Sequence, residues 1–295
     1  MRCHYLLPIL ALILGSTVAA ASAKAAATVA SPAAAGPWTL AHDASPAFTP
    51  DGDTVVFARG LGSTRRLVVA HRRNGTWSAA QPAPFSNRWM DLEPAMAPDG
   101  SWLVFVSNRP ASGAGQPLDG RWGGQAYPGR GGNLWRVERT GTGWGTPMHL
   151  PDTVNASTST FSPALAGDGT IYFMRADPVS GAFRLWRSPR VHGRYQVAQA
   201  VALGSGGTVS DYDPAVAPDQ SFIVFSSDRA PASPDGDHLY IAFATPGGWG
   251  TPRDLGVAGN EARLGADHRT LYFDAPDRRI HRLSLAAWLP GRAAH

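Results

Sequence analysis

Five segments of the chain share one pattern: SPAFTPDGDTVVF (45–57), EPAMAPDGSWLVF (93–105), SPALAGDGTIYF (162–173), DPAVAPDQSFIVF (213–225) and EARLGADHRTLYF (261–273). Their turn aspartates, Asp51, Asp99, Asp168, Asp219 and Asp267, are spaced by 48, 69, 51 and 48 residues. A period near fifty with strand-like content restricts the chain to a propeller or a β-solenoid, because each unit buries its apolar face against the next.

Within a unit a short strand opens with Pro-Ala, and a Pro-Asp-Gly-type turn reverses it. A β-branched and aromatic run follows, as in Thr54-Val55-Val56-Phe57 or Phe222-Ile223-Val224-Phe225, which makes a hairpin. A third apolar run comes next (Leu67 to Ala70, Leu134 to Val137, Phe183 to Trp186, Leu239 to Ala242, Ile280 to Leu283). A fourth element is centred on Trp77, Trp144, Tyr195 and Trp249. Four antiparallel strands per unit is one propeller blade. Composition agrees: 33 Gly and 25 Pro with only 16% charged residues suit a protein of many tight turns and not a helical bundle.

The fifth unit runs out after its third strand, while the chain opens at Gly36-Pro37-Trp38-Thr39-Leu40, which reads as a fourth strand with nothing before it. The expectation is therefore an all-β, five-bladed ring of four-stranded blades, closed by the N-terminal strand, with no free sheet edge. Deleting Pro37 to Leu40 is expected to cost far more stability than deleting Lys24 to Gly36. A six-bladed ring is the alternative, since the 69-residue spacing between units two and three holds extra, Gly-rich chain.

These units resemble the WD-like repeats of TolB-type β-propellers: an acidic residue or Ser, Pro-Ala, a Pro-Asp-Gly turn, an aliphatic-Phe strand, then Ser-Asn/Asp-Arg. Here the pattern reads Glu93-Pro94-Ala95 to Ser107-Asn108-Arg109 and Asp213-Pro214-Ala215 to Ser227-Asp228-Arg229. Departures are Gly167 in the third turn, and Ala262 for Pro and His268 for Gly in the fifth unit. The resemblance covers nearly all of the mature chain and implies a fold, not a function. Residues 24–36 offer no counterpart to the additional N-terminal domain of TolB itself, so its partners do not carry over.

In a blade the start of the first strand lies beside the end of the second. That places Glu93 near Arg109, Asp213 near Arg229, and Asp43 or Ser45 near Arg59, at one mouth of the ring. Such pairs either register neighbouring strands, contributing about 0–1 kcal/mol each when partly exposed, or line a polar funnel; the former is the simpler reading. Asp91, Asp211 and Glu261 have no evident partner in the sequence and are the better candidates for contact with a ligand. The long loop Pro110–Gly132 emerges at the same face and carries Gln116, Asp119, Arg121, Trp122, Gln125, Tyr127 and Arg130. It is a binding element or a tolerated insertion; Trp122 and Tyr127 suit stacking on a sugar or packing on a peptide. Trp89 is either rim or inter-blade filler.

Trp38, Trp77, Trp144 and Trp249 recur once per blade, as inter-blade packing requires. The turn aspartates are backbone-bonding turn formers. Asp51-Gly52-Asp53 and Asp235-Gly236-Asp237 do not supply the full loop of oxygens that calcium needs. No Gly-x-Ser-x-Gly elbow, His-Glu-x-x-His or close histidine pair is present. The enzymatic rival is a five-bladed glycosidase using Asp43, Asp91, Asp211, Asp213 or Glu261.

Residues 1–23 read as a secretory signal, with an apolar run from Leu6 to Gly15 followed by small residues to Ala21-Ser22-Ala23. Residues 24–36 read as an Ala-rich linker, 37–289 as the propeller and 290–295 as a tail. Cys3, the one cysteine, precedes the apolar run, so neither lipid anchor nor disulfide is expected. A net charge of +4 without basic runs argues against nucleic acid. The expectation is a periplasmic or secreted monomer, without cofactor or metal and not inserted in a membrane. It acts as a non-catalytic scaffold for an envelope protein or cell-wall component, with a glycan-acting enzyme or a lectin-like module as alternatives. Its expected contacts are Asp91, Glu93, Arg109, Arg121, Trp122, Tyr127, Asp211, Asp213, Arg229 and Glu261.

Overall fold

The Pro-Asp-Gly pattern makes a hairpin because its aspartate satisfies the turn amides. Asp51 Oδ1 accepts from the Thr49 hydroxyl (2.6 Å) and the Asp53 amide (2.9 Å). Asp99, Asp168, Asp219 and Asp267 accept the amides of Ser101, Thr170, Ser221 and Arg269 in the same way. In the first blade this turn joins Ala44–Phe48 to Thr54–Arg59, paired antiparallel with Ala47 opposite Val56. The strand Arg66–Arg73 pairs next, and the short pieces Thr76–Trp77 and Gln81–Pro82 complete the outer edge.

The second, third and fourth blades repeat the plan. Their innermost strands are Asp91–Met96, Thr160–Leu165 and Asp211–Val216, and their second strands Trp102–Ser107, Ile171–Ala176 and Phe222–Ser227. Asn260–Leu264, Thr270–Asp274 and Ile280–Ser284 form the fifth. Each innermost strand touches the innermost strands of both neighbouring blades, closing a ring of five. The extra length between units two and three is not a sixth blade. It holds a small hairpin, Gly120–Trp122 paired with Gln125–Tyr127.

The computed structural model describes residues 29–30, 36–141, 143–230, 234 and 236–290. The signal segment 1–23, most of the linker 24–36, Asp235 and the tail residues 291–295 lie outside the described residues. Among the described residues no helix is long and apolar enough to cross a membrane.

An N-terminal strand does complete the fifth blade, but it is not Pro37–Leu40. Val29–Ala30, inside the expected linker, pairs with Ile280–Ser284, Val29 lying opposite Leu283 and Ala30 opposite Arg282. Residues 36–40 form a bend instead. Backbone pairing asks nothing of side chains, so an alanine-rich stretch can supply the missing edge. Trp38 acts as a wedge between the first and last blades, edge-on to Phe57 (6.2 Å) and to Tyr272 (5.6 Å).

The second strands hold the core. Phe57, Phe105, Phe173, Phe225 and Phe273 occupy one position per blade and are at most 1% exposed. Each contributes about 2–3 kcal/mol of apolar burial. Between blades, Trp249 stands edge-on to Tyr172, and Trp144 to Phe85.

Candidate functional site

Every innermost strand begins with an irregularity. Its register against the second strand shifts between Ala44 and Ala47, Leu92 and Ala95, Phe161 and Ala164, Tyr212 and Ala215, and Asn260 and Arg263. Inside each shift sits a residue with left-handed backbone: Ser45 (φ 53°), Glu93 (φ 51°), Ser162 (φ 50°), Asp213 (φ 48°) and Glu261 (φ 51°). None is glycine, and such a conformation costs an L-residue roughly 1–2 kcal/mol. The bulge turns these side chains out of the blade and into a polar ring at the axis.

Hydrogen bonds run around this ring from blade to blade. Glu93 Oε2 accepts from the Ser162 amide (2.6 Å) and Asp213 Oδ2 from the Glu261 amide (2.8 Å). Glu261 Oε2 accepts from the Ser45 hydroxyl, and its Oε1 pairs with Arg65 at 2.8 Å. Arg263 stands where the first four units carry alanine (47, 95, 164, 215). Buried from solvent, it donates from Nη2 to Ser162 Oγ at 3.0 Å. The ring thus gathers three carboxylates and two guanidinium groups.

Their charges are unequal. Burial, then the negative charges of Glu261 and Asp213, push the Glu93 carboxyl up to about 8 against the pull of Arg263 and Arg65. Burial also raises Asp213, with Arg263 pulling against it. Burial would lift Glu261 as well, but Arg65 and the Ser45 hydroxyl outweigh it and hold its carboxyl below the usual range. Asp274, at the end of the second strand of the fifth blade, is pushed up to about 7 by burial and then by Glu261. Near neutral pH the ring therefore holds an ionised Glu261 and a Glu93 that carries a proton.

The in-blade ion pairs are offset by two residues from those the repeat suggests. Arg109 pairs with Asp91 (2.8 Å), not Glu93, and Arg229 with Asp211 (2.7 Å), not Asp213. Arg59 pairs with Asp43 at 2.7 Å. The bulge is the cause: it rotates Glu93 and Asp213 towards the axis and leaves the residues two positions earlier beside the arginines. Asp91, Asp211 and Glu261, which lack an evident partner in the sequence, are all partnered in the structure.

Above the ring opens a cleft of about 630 Å³. Glu93, Arg65 and Asp274 line it, with Trp122, Phe161 and Phe183 as an apolar wall and Arg130 and Arg278 as cations. Among the described residues neither of these two arginines joins a salt bridge. Trp122 lies flat on Tyr127 (4.0 Å between centroids, 11° between planes) and edge-on to Phe161 at 5.6 Å, so the inserted hairpin forms a side of the mouth. Arg121, exposed, faces a different groove towards the third blade. Trp89 is buried at 8% exposure. Among the described residues no three His, Cys, Asp or Glu side chains converge as metal ligands would.

The repeat pattern did not point to Arg65, Arg263 or Asp274. Arg65 lies in a loop outside the motif. Arg263 and Asp274 were open to detection, because each puts a charge in a column otherwise filled by alanine (47, 95, 164, 215) or by Ala58, Val106, Met174 and Ser226.

The sequence matches no protein-family model and no curated protein. Solved structures do match. TolB from Acinetobacter baumannii is 12% identical with a TM-score of 0.50, the match covering 82% of this chain and 54% of that one. The protein BT0996, solved as an RGII complex, is 11% identical with a TM-score of 0.55, the match covering 84% of this chain and 88% of that one. The chain thus spans about half the length of the TolB it matches. At these identities the likeness establishes the fold alone, a β-propeller, and the count of five blades is that of the ring described above.

Proposed function

We propose that the protein is an exported, non-catalytic β-propeller scaffold that binds an envelope protein or cell-wall component at its central mouth. One observation carries this reading: each ring carboxylate spends an oxygen on a neighbouring blade, Glu93 on Ser162, Asp213 on Glu261, and Glu261 on Ser45 and Arg65. Groups that hold blades in register are poorly placed to move during a reaction. The cleft above them offers a binding surface instead, apolar on the side of Trp122, Phe161 and Phe183 and cationic at Arg130 and Arg278. Export, to the periplasm or outside the cell, is supported by the apolar run Leu6 to Gly15.

A second reading has one observation in its favour. Glu93 lines the cleft as a protonated acid near an ionised Glu261, and two carboxyls held in opposite protonation states are what glycoside hydrolysis uses. The test exposes the purified mature protein to peptidoglycan fragments, a glycan panel and purified envelope proteins, following tryptophan fluorescence and product release together. Binding without product, weakened by Arg130→Ala with Arg278→Ala, is the expected result. Product formation that disappears in Glu93→Gln would overturn the scaffold and establish the hydrolase.

A further inference from the structure

Three blades carry the same ion pair, and a fourth carries half of it. In the first, second and fourth blades an aspartate two residues before the ring position (Asp43, Asp91, Asp211) holds an arginine (Arg59, Arg109, Arg229). The arginine rests on the core phenylalanine of its blade, at 5.3 Å from Phe57, 5.3 Å from Phe105 and 5.0 Å from Phe225. In the fifth blade both partners are gone: Gly259 stands in the aspartate's place, Ala275 in that of Arg59, and Asp277 in that of Arg109 and Arg229. The third blade keeps the cation alone. Arg175 lies over Phe173 (5.9 Å) and Trp186 (3.9 Å), as Arg109 lies over Phe105 and Trp135. The residue opposite it, in the aspartate's place, is Thr160.

Thr160 does not substitute for a carboxylate, since its hydroxyl donates to the Ser157 carbonyl at 2.8 Å. Among the described residues Arg175 has no salt-bridge partner, and burial lowers its pKa with no anion to oppose the shift. A half-buried cation without a counter-ion carries a desolvation cost that an incoming anion would offset.

Arg175 also faces open space. It floors a groove of about 980 Å³ between the inserted hairpin of the second blade and the loop 177–181 of the third, with Arg121 and Gln125 on the hairpin side. The hairpin is held in place: the Arg121 amide donates to Ser159 Oγ (2.8 Å), Ser159 Oγ donates back to the Arg121 carbonyl (2.9 Å), and the Gly123 amide donates to the Gly181 carbonyl (2.9 Å). The acid on the other wall, Asp177, turns its Oδ1 to the Val179 and Ser180 amides and the Ser180 hydroxyl and pairs with neither arginine. Two arginines therefore line a preformed groove and, among the described residues, neither joins a salt bridge.

The geometry points to a second binding site, adjoining the central mouth across Trp122, in which an aspartate or glutamate side chain of a partner's acidic peptide segment pairs with Arg175 in the place Thr160 leaves unfilled. A peptide carboxylate is favoured because an aspartate carboxylate is what the same niche holds in three sister blades. The planar guanidinium can donate to it bidentately, and Arg121 adds a second charge at the groove edge.

The test uses blocked pentapeptides with one Asp or Glu among varied neighbours, each beside its Asn or Gln twin, titrated into the mature protein and followed by calorimetry. Acidic peptides should bind at least about tenfold more tightly than their amide twins. Arg175→Met should erase that preference. Thr160→Asp should also erase it while raising the melting temperature, because the niche is then filled from within. Failure to discriminate acid from amide in the unaltered protein, or discrimination that survives in Arg175→Met, overturns the site. If Thr160→Asp does not fold, Arg175→Met decides alone. Trigalacturonate binding in place of the peptides, lost in the same variant, would overturn the peptide as occupant and assign the groove to an acidic glycan. Neither Arg175 nor Thr160 lines the central mouth, so these variants test the groove apart from it.

Discussion

Glu93 on the second blade accepts a hydrogen bond at 2.6 Å from the backbone amide of Ser162 on the third, joining two blades at the axis of the ring. Its carboxyl is pushed up to about 8, so the folded state retains a proton that the unfolded chain releases near the ordinary glutamate value of 4.5. Between those values the folded state binds more protons than the unfolded, and stability falls as pH rises. Glu261 acts oppositely: its lowered pKa gives stability that is present above about pH 4.5 and lost as pH falls further. From about pH 5 to 8 Glu93 and Asp274, whose carboxyl is pushed up to about 7, should together give a melting temperature that declines. Glu93→Gln, uncharged throughout, should make that decline shallower and leave the share of Asp274. A profile equally steep in the variant would remove Glu93 as its source.

Arg263 faces Glu93 and Asp213 from a column otherwise occupied by alanine. Arg263→Ala restores the repeat yet leaves the buried Asp213 without its cation and Glu93 with Arg65 alone. Removing one partner of a buried charge cluster costs roughly 3–5 kcal/mol. Urea unfolding at about pH 7 should show a loss of this order, shrinking towards about pH 5, where Glu93 and Asp213, both raised, are more fully protonated. A stabilised variant would mean that Arg263 is merely tolerated there.

The hairpins and their turn aspartates were legible because they depend on residues adjacent in sequence, and the count of five followed from them. The bulge was not legible. A left-handed residue announces itself when it is glycine, and Ser45, Glu93, Ser162, Asp213 and Glu261 are not. Pairing arithmetic without the bulge joins Glu93 to Arg109 and leaves Asp91 over, the reverse of what the fold does. The closing strand was hidden for another reason: Val29–Ala30 contributes backbone hydrogen bonds, which carry no side-chain signature. The mismatch of Arg175 with Thr160 was open to view in the aligned units, but its meaning required the bulge-corrected register.

The in-blade ion pairs differ in how much else supports their acid. Asp43 keeps the Thr39 and Leu40 amides as donors (3.0 and 3.1 Å), so Arg59→Met leaves a carboxylate still bonded. Asp91 is fully buried and depends on Arg109, with only the Ser86 and Ser107 hydroxyls beside it. Arg109→Met should therefore cost about 3 kcal/mol or more, and Arg59→Met about 1 kcal/mol. Chemical denaturation of the two variants gives the ranking; equal losses would show that backbone donors do not stabilise Asp43.

Trp38 replaces the expected strand as the element of residues 36–40 that joins the first blade to the last. It is half-buried, so Trp38→Ala should cost about 2 kcal/mol, below the roughly 3–5 kcal/mol of a fully buried aromatic. Thermal unfolding should show Trp38→Ala destabilised, whereas Thr39→Ala, at an exposed position, should melt with the parent protein. Equal melting of all three would remove the wedge.

The turn glycine of three blades is Gln220 in the fourth (φ 58°) and His268 in the fifth (φ 52°), both in left-handed backbone. Gln220 has a compensation: its Oε1 accepts from the Tyr172 hydroxyl (2.8 Å) and its Nε2 donates to Asp168 Oδ2 (2.9 Å), tying the fourth blade to the third. His268 makes no such side-chain bond among the described residues, and burial lowers its pKa. Glycine relieves roughly 1 kcal/mol of backbone strain at either site, while each bond lost at Gln220 costs about 1 kcal/mol. His268→Gly should therefore stabilise the protein, Gln220→Gly should leave it unchanged or slightly weaker, and Gln220→Ala, which loses the bonds and keeps the strain, should be the least stable of the three. Melting temperatures in any other order would show that the two left-handed positions are not governed by this balance.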